Sequence, residues 1–180
     1  NASKAYYSNW GSKDTTVTAP GGDYFDGDPD LAWEDGALSA YSAEAAFQWG
    51  DITGLPCGEP TWDAVIKVVY DGGKCAYYAY FQGTSMAAPH AVGVAALIVS
   101  QFGHPDGGRK SGQLTMTPKD VEKVLTRTAT DHACPNPPVL DYSFLYGDDS
   151  ANATCVGNED FNNIWGDGIV DALAAVSGKK

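Results

Sequence analysis

The sequence predicts an α/β chain, because one segment has the pattern of a β-hairpin and the next has the pattern of a long helix. The β-rich runs 65–70 and 75–81 flank Asp71-Gly72-Gly73-Lys74, a composition typical of a hairpin turn. Residues 85–102 are small or apolar almost throughout, and Gly103 follows as a natural helix stop. Because it is apolar on most faces, this second segment is expected to be a buried helix.

A second helix is predicted from a capping sequence. Thr117 is the expected N-cap, and Asp120 completes a capping box with it. Val121, Val124 and Leu125 then share one face of the helix, which is expected to point to the core. The other predicted elements are short strands at 4–7 and 15–19 and a closing helix at 168–176, while 31–50 favours no single element.

The chain of 180 residues is strongly acidic: 23 Asp and Glu oppose 11 Lys and Arg, which gives a formal charge of −12 and a pI near 4.3. This charge repels nucleic-acid phosphates and anionic membrane surfaces, so we expect neither as a partner. If glycine is counted as apolar, the longest unbroken apolar run is the nine residues Ala91–Val99, about half of the ~18 needed to span a bilayer. Hydrophobic residues make up 43% of the chain, enough for the core of one domain.

Four cysteines form two local pairs, Cys57 with Cys75 and Cys134 with Cys155, separated by 17 and 20 intervening residues. No C-x-x-C occurs, which argues against a zinc knuckle or a thioredoxin-type redox centre. The even number favours disulfides within these pairs, hence an oxidising, extracellular setting. Each closed loop would contribute about 3 kcal/mol in the chain-entropy model. Four free thiols in a cytosolic protein are the alternative.

Ser85 is the candidate nucleophile, because it follows a strand-like run and opens the predicted helix. The first turn of a helix has free N–H groups and the positive end of the dipole, which stabilise negative charge beside that serine. The N–H of Ser85 itself is then a candidate oxyanion donor. Gly83 allows a substrate backbone to approach closely, and Pro89 is tolerated in the first turn. The plainer alternative is a serine that only caps the helix.

The segment from Gly83 to His90, Gly-Thr-Ser-Met-Ala-Ala-Pro-His, resembles the nucleophile motif of the subtilisin-like serine proteases, the subtilases. It does not fit the G-x-S-x-G elbow of α/β-hydrolases, since Ala87 stands at the position of the last glycine. Three other stretches resemble subtilase segments in the same order: Tyr6–Gly11 with Val17–Gly21, Thr117–Asp131, and Trp165–Ala172. The resemblance covers most of the chain.

The resemblance implies an α/β fold of the three-layer α/β/α type, with a mostly parallel central sheet, of which this chain is the C-terminal portion. Residues 1–180 would be the C-terminal part of one catalytic domain, with an insertion at about 23–80 compared with small bacterial members. That insertion holds the predicted hairpin and the first cysteine pair, and it is expected near the substrate cleft.

The activity that the resemblance implies is hydrolysis of peptide bonds by a serine endopeptidase that acts on a protein or peptide and needs no cofactor for catalysis. Ser85 would attack the carbonyl carbon. The resemblance places Gly83, Thr84 and Phe81 along the substrate cleft, with Phe81 on the leaving-group side. A subtilase needs Asp, then His, then an oxyanion Asn before the serine. These are expected from a segment upstream of Asn1 or from a partner chain.

The three histidines do not match the context of a subtilase base. His90 lies five residues after Ser85 on the predicted helix, so at about 100° per residue it points about 140° away. It is expected to be a packed structural residue. His104 follows the helix, and His132 lies in a long loop. The chain alone is therefore expected to be inactive, because a serine without a base is a weak nucleophile.

Two other functions stay open at this point. One is a non-catalytic, secreted binding module on a subtilase scaffold, and the other is an inert fragment left by autolysis. The intact motif from Gly83 to His90 argues against a scaffold that has lost its chemistry.

No metal ligand is predicted among the site residues. Asp26, Asp28 and Asp30 alternate as in calcium-binding loops, but the downstream glutamate of an EF-hand is missing. A structural calcium ion is the alternative to an unliganded acidic loop.

Overall fold

A computed structural model describes residues 3–11, 15–25, 32–105 and 114–178. The chain divides into two compact units, the first within 21–86 and the second from 4–20 together with 87–180. The division falls inside one helix, after Met86. The assignment of the whole chain to one domain with an insertion at about 23–80 stays a prediction.

The first unit is built around a three-stranded antiparallel sheet. Its elements are strand β1 (Ala37–Tyr41), helix α1 (Ala43–Trp49), strand β2 (Val65–Tyr70) and strand β3 (Lys74–Phe81), with 3₁₀ turns at Trp33–Asp35 and Asp71–Gly73. The strand order is β1-β3-β2, with Tyr41 opposite Tyr77 and Val65 opposite Ala79. The predicted hairpin is thereby confirmed.

One face of this sheet carries the core of the first unit. Successive side chains of a strand point to opposite faces, so Val65, Tyr77 and Ala79 share one face and are buried there. They pack with Ala46 of α1 and with Ile52. The large apolar side chains of the opposite face stay exposed, namely Leu38, Ile66, Val68 and Tyr78.

The second unit contains most of helix α2 (Thr84–Phe102), whose first residues belong to the first unit. Its other elements are helix α3 (Pro118–Thr128), strand β4 (Val139–Leu140), helix α4 (Ser143–Tyr146), strand β5 (Ala153–Thr154) and helix α5 (Ala172–Ser177). Strands β4 and β5 pair antiparallel. The closing helix begins later than predicted, because residues 168–170 form backbone hydrogen bonds with other segments instead.

The capping box predicted for α3 is confirmed. The Thr117 hydroxyl accepts a hydrogen bond from the Asp120 N–H at 3.3 Å, and the Asp120 carboxylate accepts one from the Thr117 N–H at 3.0 Å. The predicted apolar face is also confirmed, since Val121, Val124 and Leu125 pack against the buried cluster formed by α2 and α5. Local sequence signals therefore sufficed to place this helix and its buried face.

Helix α2 is less buried than the sequence predicts. Val94 and Ile98 are buried against α3 and α5, whereas Val92 is 67% exposed and Leu97 is 47% exposed. The prediction of a helix buried on most faces is wrong, because the described neighbours cover only the stripe that contains Val94 and Ile98. By length and composition alone the helix could also cross a membrane, a property that core helices of globular proteins share.

The mostly parallel sheet that the resemblance implies is not found in the part of the chain that the structure describes. Both sheets there are antiparallel, and the one parallel contact is an isolated bridge between Thr18 and Ile169. A tight turn joins β2 to β3, and such a turn can connect only antiparallel neighbours, since a parallel pair needs a crossover of about a dozen residues. The described chain is thus a mixed α/β structure with small sheets.

The two predicted N-terminal strands do not form. Residues 6–7 are in a turn, with the Ser8 N–H donating to the Ala5 carbonyl at 3.0 Å. Within 15–19, only Thr18 makes a bridge to another segment. Both segments have strand-like composition, but a strand also requires a neighbouring strand along its length.

Three of the subtilase-like stretches meet at Ile169 in the second unit. Ile169 bridges Thr18 in parallel and Thr130 antiparallel. Ile169 and Thr130 exchange two backbone hydrogen bonds of 2.7 and 2.9 Å. Beside them, Gly168 has a φ of +123°, and a Cβ there would lie 2.3 Å from the Thr130 carbonyl oxygen. Glycine is therefore required at this position by both backbone conformation and space.

Both predicted disulfides are confirmed. Cys57 is bonded to Cys75 in the first unit, and Cys134 is bonded to Cys155 in the second, each with Cα atoms 5.6 Å apart. This pairing leaves no free thiol among the four cysteines. Cys155 is buried in a cluster with Trp165, so the second disulfide belongs to the core of its unit.

Candidate active site

Ser85 lies in the first turn of α2, directly after the end of β3. The helix begins at Thr84, so Ser85 is inside the helix and is not its N-cap. The Met86 N–H donates to the Gly83 carbonyl at 2.9 Å, which closes the first turn around the serine. The first four N–H groups of a helix have no partner within it. Ser85 is also exposed, so its hydroxyl can be reached from solvent.

Gly83 holds the turn between β3 and α2 in a backbone conformation that suits glycine. Its φ is +149°, whereas a Cβ there would come no closer than 3.6 Å, to the Met86 sulfur. The constraint is therefore conformational rather than one of space. The Gly83 N–H donates to the Gly21 carbonyl at 2.9 Å. Because Gly21 ends one subtilase-like stretch and Gly83 begins another, the two stretches are hydrogen-bonded two residues before Ser85.

Tyr24 fixes the same end of β3. Its backbone N–H donates to Oε1 of Gln82 at 2.9 Å, and its hydroxyl donates to the Tyr80 carbonyl at 2.7 Å. The ring of Tyr24 contacts Trp33 edge to face, with 4.8 Å between ring centroids. The strand end that leads into the candidate site is thus held by both side-chain and backbone hydrogen bonds.

The other predicted site residues lie on either side of Gly83. Phe81 ends β3 and is half-buried, and its ring contacts Tyr41 edge to face with 5.3 Å between centroids. Thr84 is exposed and is the first residue of α2. Phe81, Thr84 and Ser85 therefore belong to one strand-to-helix turn, and their roles in substrate binding and catalysis stay predictions.

None of the three histidines belongs to the first unit, which contains Ser85. His132 stacks on Trp165 with 4.1 Å between ring centroids. The N–H of His104 donates to the Thr115 hydroxyl at 3.3 Å. The expectation of a packed His90 is wrong, because this residue lies on the exposed part of α2.

In the described residues, His, Cys, Asp and Glu side chains do not gather into a group of three or more that could hold a metal ion. The acidic loop with Asp26, Asp28 and Asp30 lies outside the described residues. Calcium at that loop therefore stays an alternative from the sequence.

A cleft beside Phe81 contains residues that the sequence did not indicate. Its volume is about 770 Å³, and it is lined by Tyr41, Trp49, Asp51, Thr61, Trp62 and Phe81. These residues come from the end of β1, the end of α1, the segment before β2 and the end of β3. The sequence feature that could have indicated this cleft is the set of aromatic residues in the alanine-rich segment 31–50. That segment predicts no definite element, so their positions could not be inferred.

Comparison with family models decides the family. The model of the Subtilase family matches residues 1–160 of the 180-residue chain. The chain belongs to the subtilase family. The matched residues of this subtilase include the stretch 83–90 and all four disulfide cysteines, whereas the stretch 165–172 lies beyond them. Membership supports a function of the serine-protease type.

No curated protein and no solved structure gives a significant match to this subtilase. Subtilases are commonly secreted, and the two disulfides of this chain agree with an oxidising compartment.

Proposed function

We propose that this subtilase is a serine endopeptidase in which Ser85 attacks the carbonyl carbon of the scissile peptide bond. The observation that carries the proposal is the position of Ser85, which is exposed in the first turn of α2, two residues after a glycine with a φ of +149°. Family membership supports the reaction class.

The local geometry suits acyl transfer at Ser85. Its hydroxyl oxygen bonds to the carbonyl carbon, its proton passes to a histidine base, and negative charge develops on the carbonyl oxygen. The Ser85 N–H and the positive end of the α2 dipole stabilise that charge. Gly83 leaves room for the substrate backbone. Thr84 and Phe81 line the substrate cleft, with Phe81 on the leaving-group side.

The histidine and aspartate of the triad, and the oxyanion asparagine, come from a segment upstream of Asn1 or from a second chain. The order of a subtilisin-type triad supports this, because its serine comes last. The exposed apolar residues of α2 also support it: Val92 is 67% exposed and Leu97 is 47% exposed, and full burial contributes about 1.5–3 kcal/mol for such a side chain. The added polypeptide would cover these residues and complete the three-layer sandwich with its mostly parallel sheet.

The proposed enzyme is extracellular, acts on proteins or peptides and needs no cofactor for catalysis. The two disulfides support the location, since disulfides persist in oxidising compartments. The net charge of −12 supports the absence of nucleic-acid and anionic-membrane partners.

The test is fluorophosphonate labelling of the natural protein that contains this chain, followed by peptide mapping. We expect the label on the peptide that carries Ser85, loss of labelling in Ser85→Ala, and normal labelling in Ser100→Ala, a change at an exposed serine of the same helix. In parallel, residues 1–180 alone should show no peptidase activity and should regain it with the upstream segment. Robust activity of the isolated chain would contradict the proposed source of the base.

A second candidate is a non-catalytic secreted binding module on the subtilase scaffold. It predicts no labelling of Ser85 even when the upstream segment is present, together with a stable fold. That result would replace the endopeptidase proposal.

A further inference from the structure

The cleft beside Phe81 has aromatic walls. Trp49 lies in the wall and is 80% exposed, although a tryptophan is on average highly buried. Tyr41 contacts Phe81 edge to face at 5.3 Å. Trp62 contacts Trp33 edge to face at 5.0 Å. Such contacts hold the rings in place without stacking their faces, and an aromatic face attracts a cation within about 6 Å.

Asp51 is the carboxylate of this cleft, and its position is fixed. Its N–H donates to the Ala46 carbonyl at 2.8 Å, and its own carbonyl accepts from the Thr61 N–H at 2.9 Å. Its Oδ2 accepts a hydrogen bond from the Tyr41 hydroxyl at 2.7 Å. Over the ranges that the structure describes, no Lys, Arg or His forms an ion pair with Asp51. The carboxylate is therefore oriented by the Tyr41 hydroxyl, and no cation among the described residues neutralises it.

We propose that this cleft binds a basic side chain of the polypeptide substrate, with Asp51 as the counter-ion and Trp49 as the aromatic face on which the cation stacks. Arginine should bind better than lysine, because its planar guanidinium both stacks on rings and pairs with carboxylates. The inference rests on the proposed function, since Phe81, four residues before Ser85, links the cleft to the reacting serine. The basic residue then lies on the leaving-group side of the scissile bond.

The charge of the protein supports this occupant, and the cleft is large enough to admit it. The net charge of −12 draws cationic ligands to the protein. The volume of about 770 Å³ lies within the usual range for ligand pockets, about 300–1,000 Å³. A neutral sugar also stacks on aromatic rings, but it gains nothing from the charge of Asp51. Comparing a charged probe with its uncharged isostere therefore distinguishes a site for a basic side chain from a site for a sugar.

The binding test uses the natural protein that contains this chain, with Ser85→Ala to prevent turnover. The probes are N-acetyl-arginine amide and its uncharged isostere N-acetyl-citrulline amide. Binding of each probe is measured by the change in tryptophan fluorescence. We expect the arginine probe to bind at least about tenfold more tightly, and Asp51→Asn to abolish that difference. Asp63→Asn, at an exposed carboxylate that does not line the cleft, should preserve it. Equal binding of the two probes, or tighter binding of an oligosaccharide, would overturn the proposal.

A second measurement does not depend on the folding of Asp51→Asn. In peptide substrates that differ only at the residue after the scissile bond, arginine should give a kcat/KM at least about tenfold above that of citrulline. Fluorophosphonate labelling of Ser85 combined with equal kcat/KM values would overturn the cleft proposal and leave the proposed function standing. Absence of labelling combined with a retained arginine preference in binding would overturn the proposed function and leave the cleft as a site for basic side chains.

Discussion

The hydroxyl of Tyr41 donates a 2.7 Å hydrogen bond to Oδ2 of Asp51, which lies ten residues further along the chain. Burial, this hydrogen bond and the negative charge of Asp51 together raise the pKa of Tyr41 from its ordinary value of 10.0 to about 12. Tyr41 therefore remains a hydrogen-bond donor at neutral pH, and Asp51 keeps one orientation in the cleft.

We predict that Asp51→Asn lowers the pKa of Tyr41, because the variant removes the negative charge that opposes tyrosinate formation. The pKa should stay above the ordinary value, since burial is the largest cause of the rise and persists in the variant. The measurement is a pH titration of tyrosine ¹³Cζ NMR signals, with Tyr41→Phe for assignment. Asp63→Asn serves as the control and should leave the titration unchanged. A Tyr41 titration identical in wild type and Asp51→Asn would refute the assigned causes.

Tyr41 should also contribute to stability in a pH-dependent way. Its pKa is higher in the folded state than in the unfolded state, so its contribution is fully present below about pH 10 and is lost as the pH rises to about 12. The difference in unfolding free energy between wild type and Tyr41→Phe, measured in urea, should therefore change across that interval. A difference that stays constant from pH 9 to pH 12 would show that Tyr41 is not coupled to folding.

Gly83→Ala tests the backbone conformation before Ser85. A residue with a Cβ at a φ of +149° is strained by about 1–3 kcal/mol, so the turn should relax and displace Ser85. We expect fluorophosphonate labelling in the natural protein to fall at least about tenfold. The matched control is Gly54→Ala in the first unit, where a Cβ meets nothing within 4 Å and φ lies outside the left-handed region; labelling should be unchanged there. Normal labelling of Gly83→Ala would mean that this φ is not needed for reactivity.

Thr117→Ala tests the capping box of α3. The variant removes the hydroxyl that accepts the Asp120 N–H, and loss of such a cap costs about 1 kcal/mol. The pKa of Asp120 is lowered, first by hydrogen bonds from the Thr117 side chain and backbone. The contribution of Asp120 to stability is therefore lost as the pH falls through this lowered pKa. The urea midpoint should drop in Thr117→Ala and recover in Thr117→Ser. Equal midpoints for the Ala and Ser variants would contradict the role of the cap.

The two disulfides should differ in what their removal does to the core. Removing either disulfide is expected to lower the free energy of unfolding by about 2–5 kcal/mol, because the unfolded chain gains conformational freedom. Cys155 is buried in a cluster with Trp165, whereas Cys57 and Cys75 are half-buried. The double variant at Cys134 and Cys155 should therefore destabilise the protein more than the double variant at Cys57 and Cys75. The pairing itself is checked by peptide mapping without reduction, and a crossed Cys75–Cys134 bridge would refute it.

Several features could be predicted from the sequence because nearby residues decide them. The turn Asp71–Gly73 brings β2 against β3, Thr117 caps α3 through a residue three positions away, and each disulfide joins cysteines that are close in the chain. The candidate nucleophile Ser85 was found in the same way, since its motif is continuous. Family membership was also indicated by continuous stretches, and the family comparison bears it out.

Other features depend on contacts between distant segments, and the sequence alone did not determine them. The strand predicted at 15–19 is reduced to one bridge at Thr18, because strand formation requires a pairing partner along its length. The exposure of α2 was not predicted from its apolar composition. Composition is the same whether a helix is buried or exposed, because burial depends on which segments pack against it.

By itself the sequence determined the family, the two disulfides, the hairpin, the cap of α3 and the place of Ser85 at the start of a helix. The tertiary structure alone decided that Asp51 meets Tyr41 beside Phe81, and that Ile169 joins Thr18 to Thr130. The physical reason is the range of the interactions. Turns, caps and short disulfide loops are closed by residues a few positions apart, whereas a cleft forms only when separate segments are brought together by packing around a shared core.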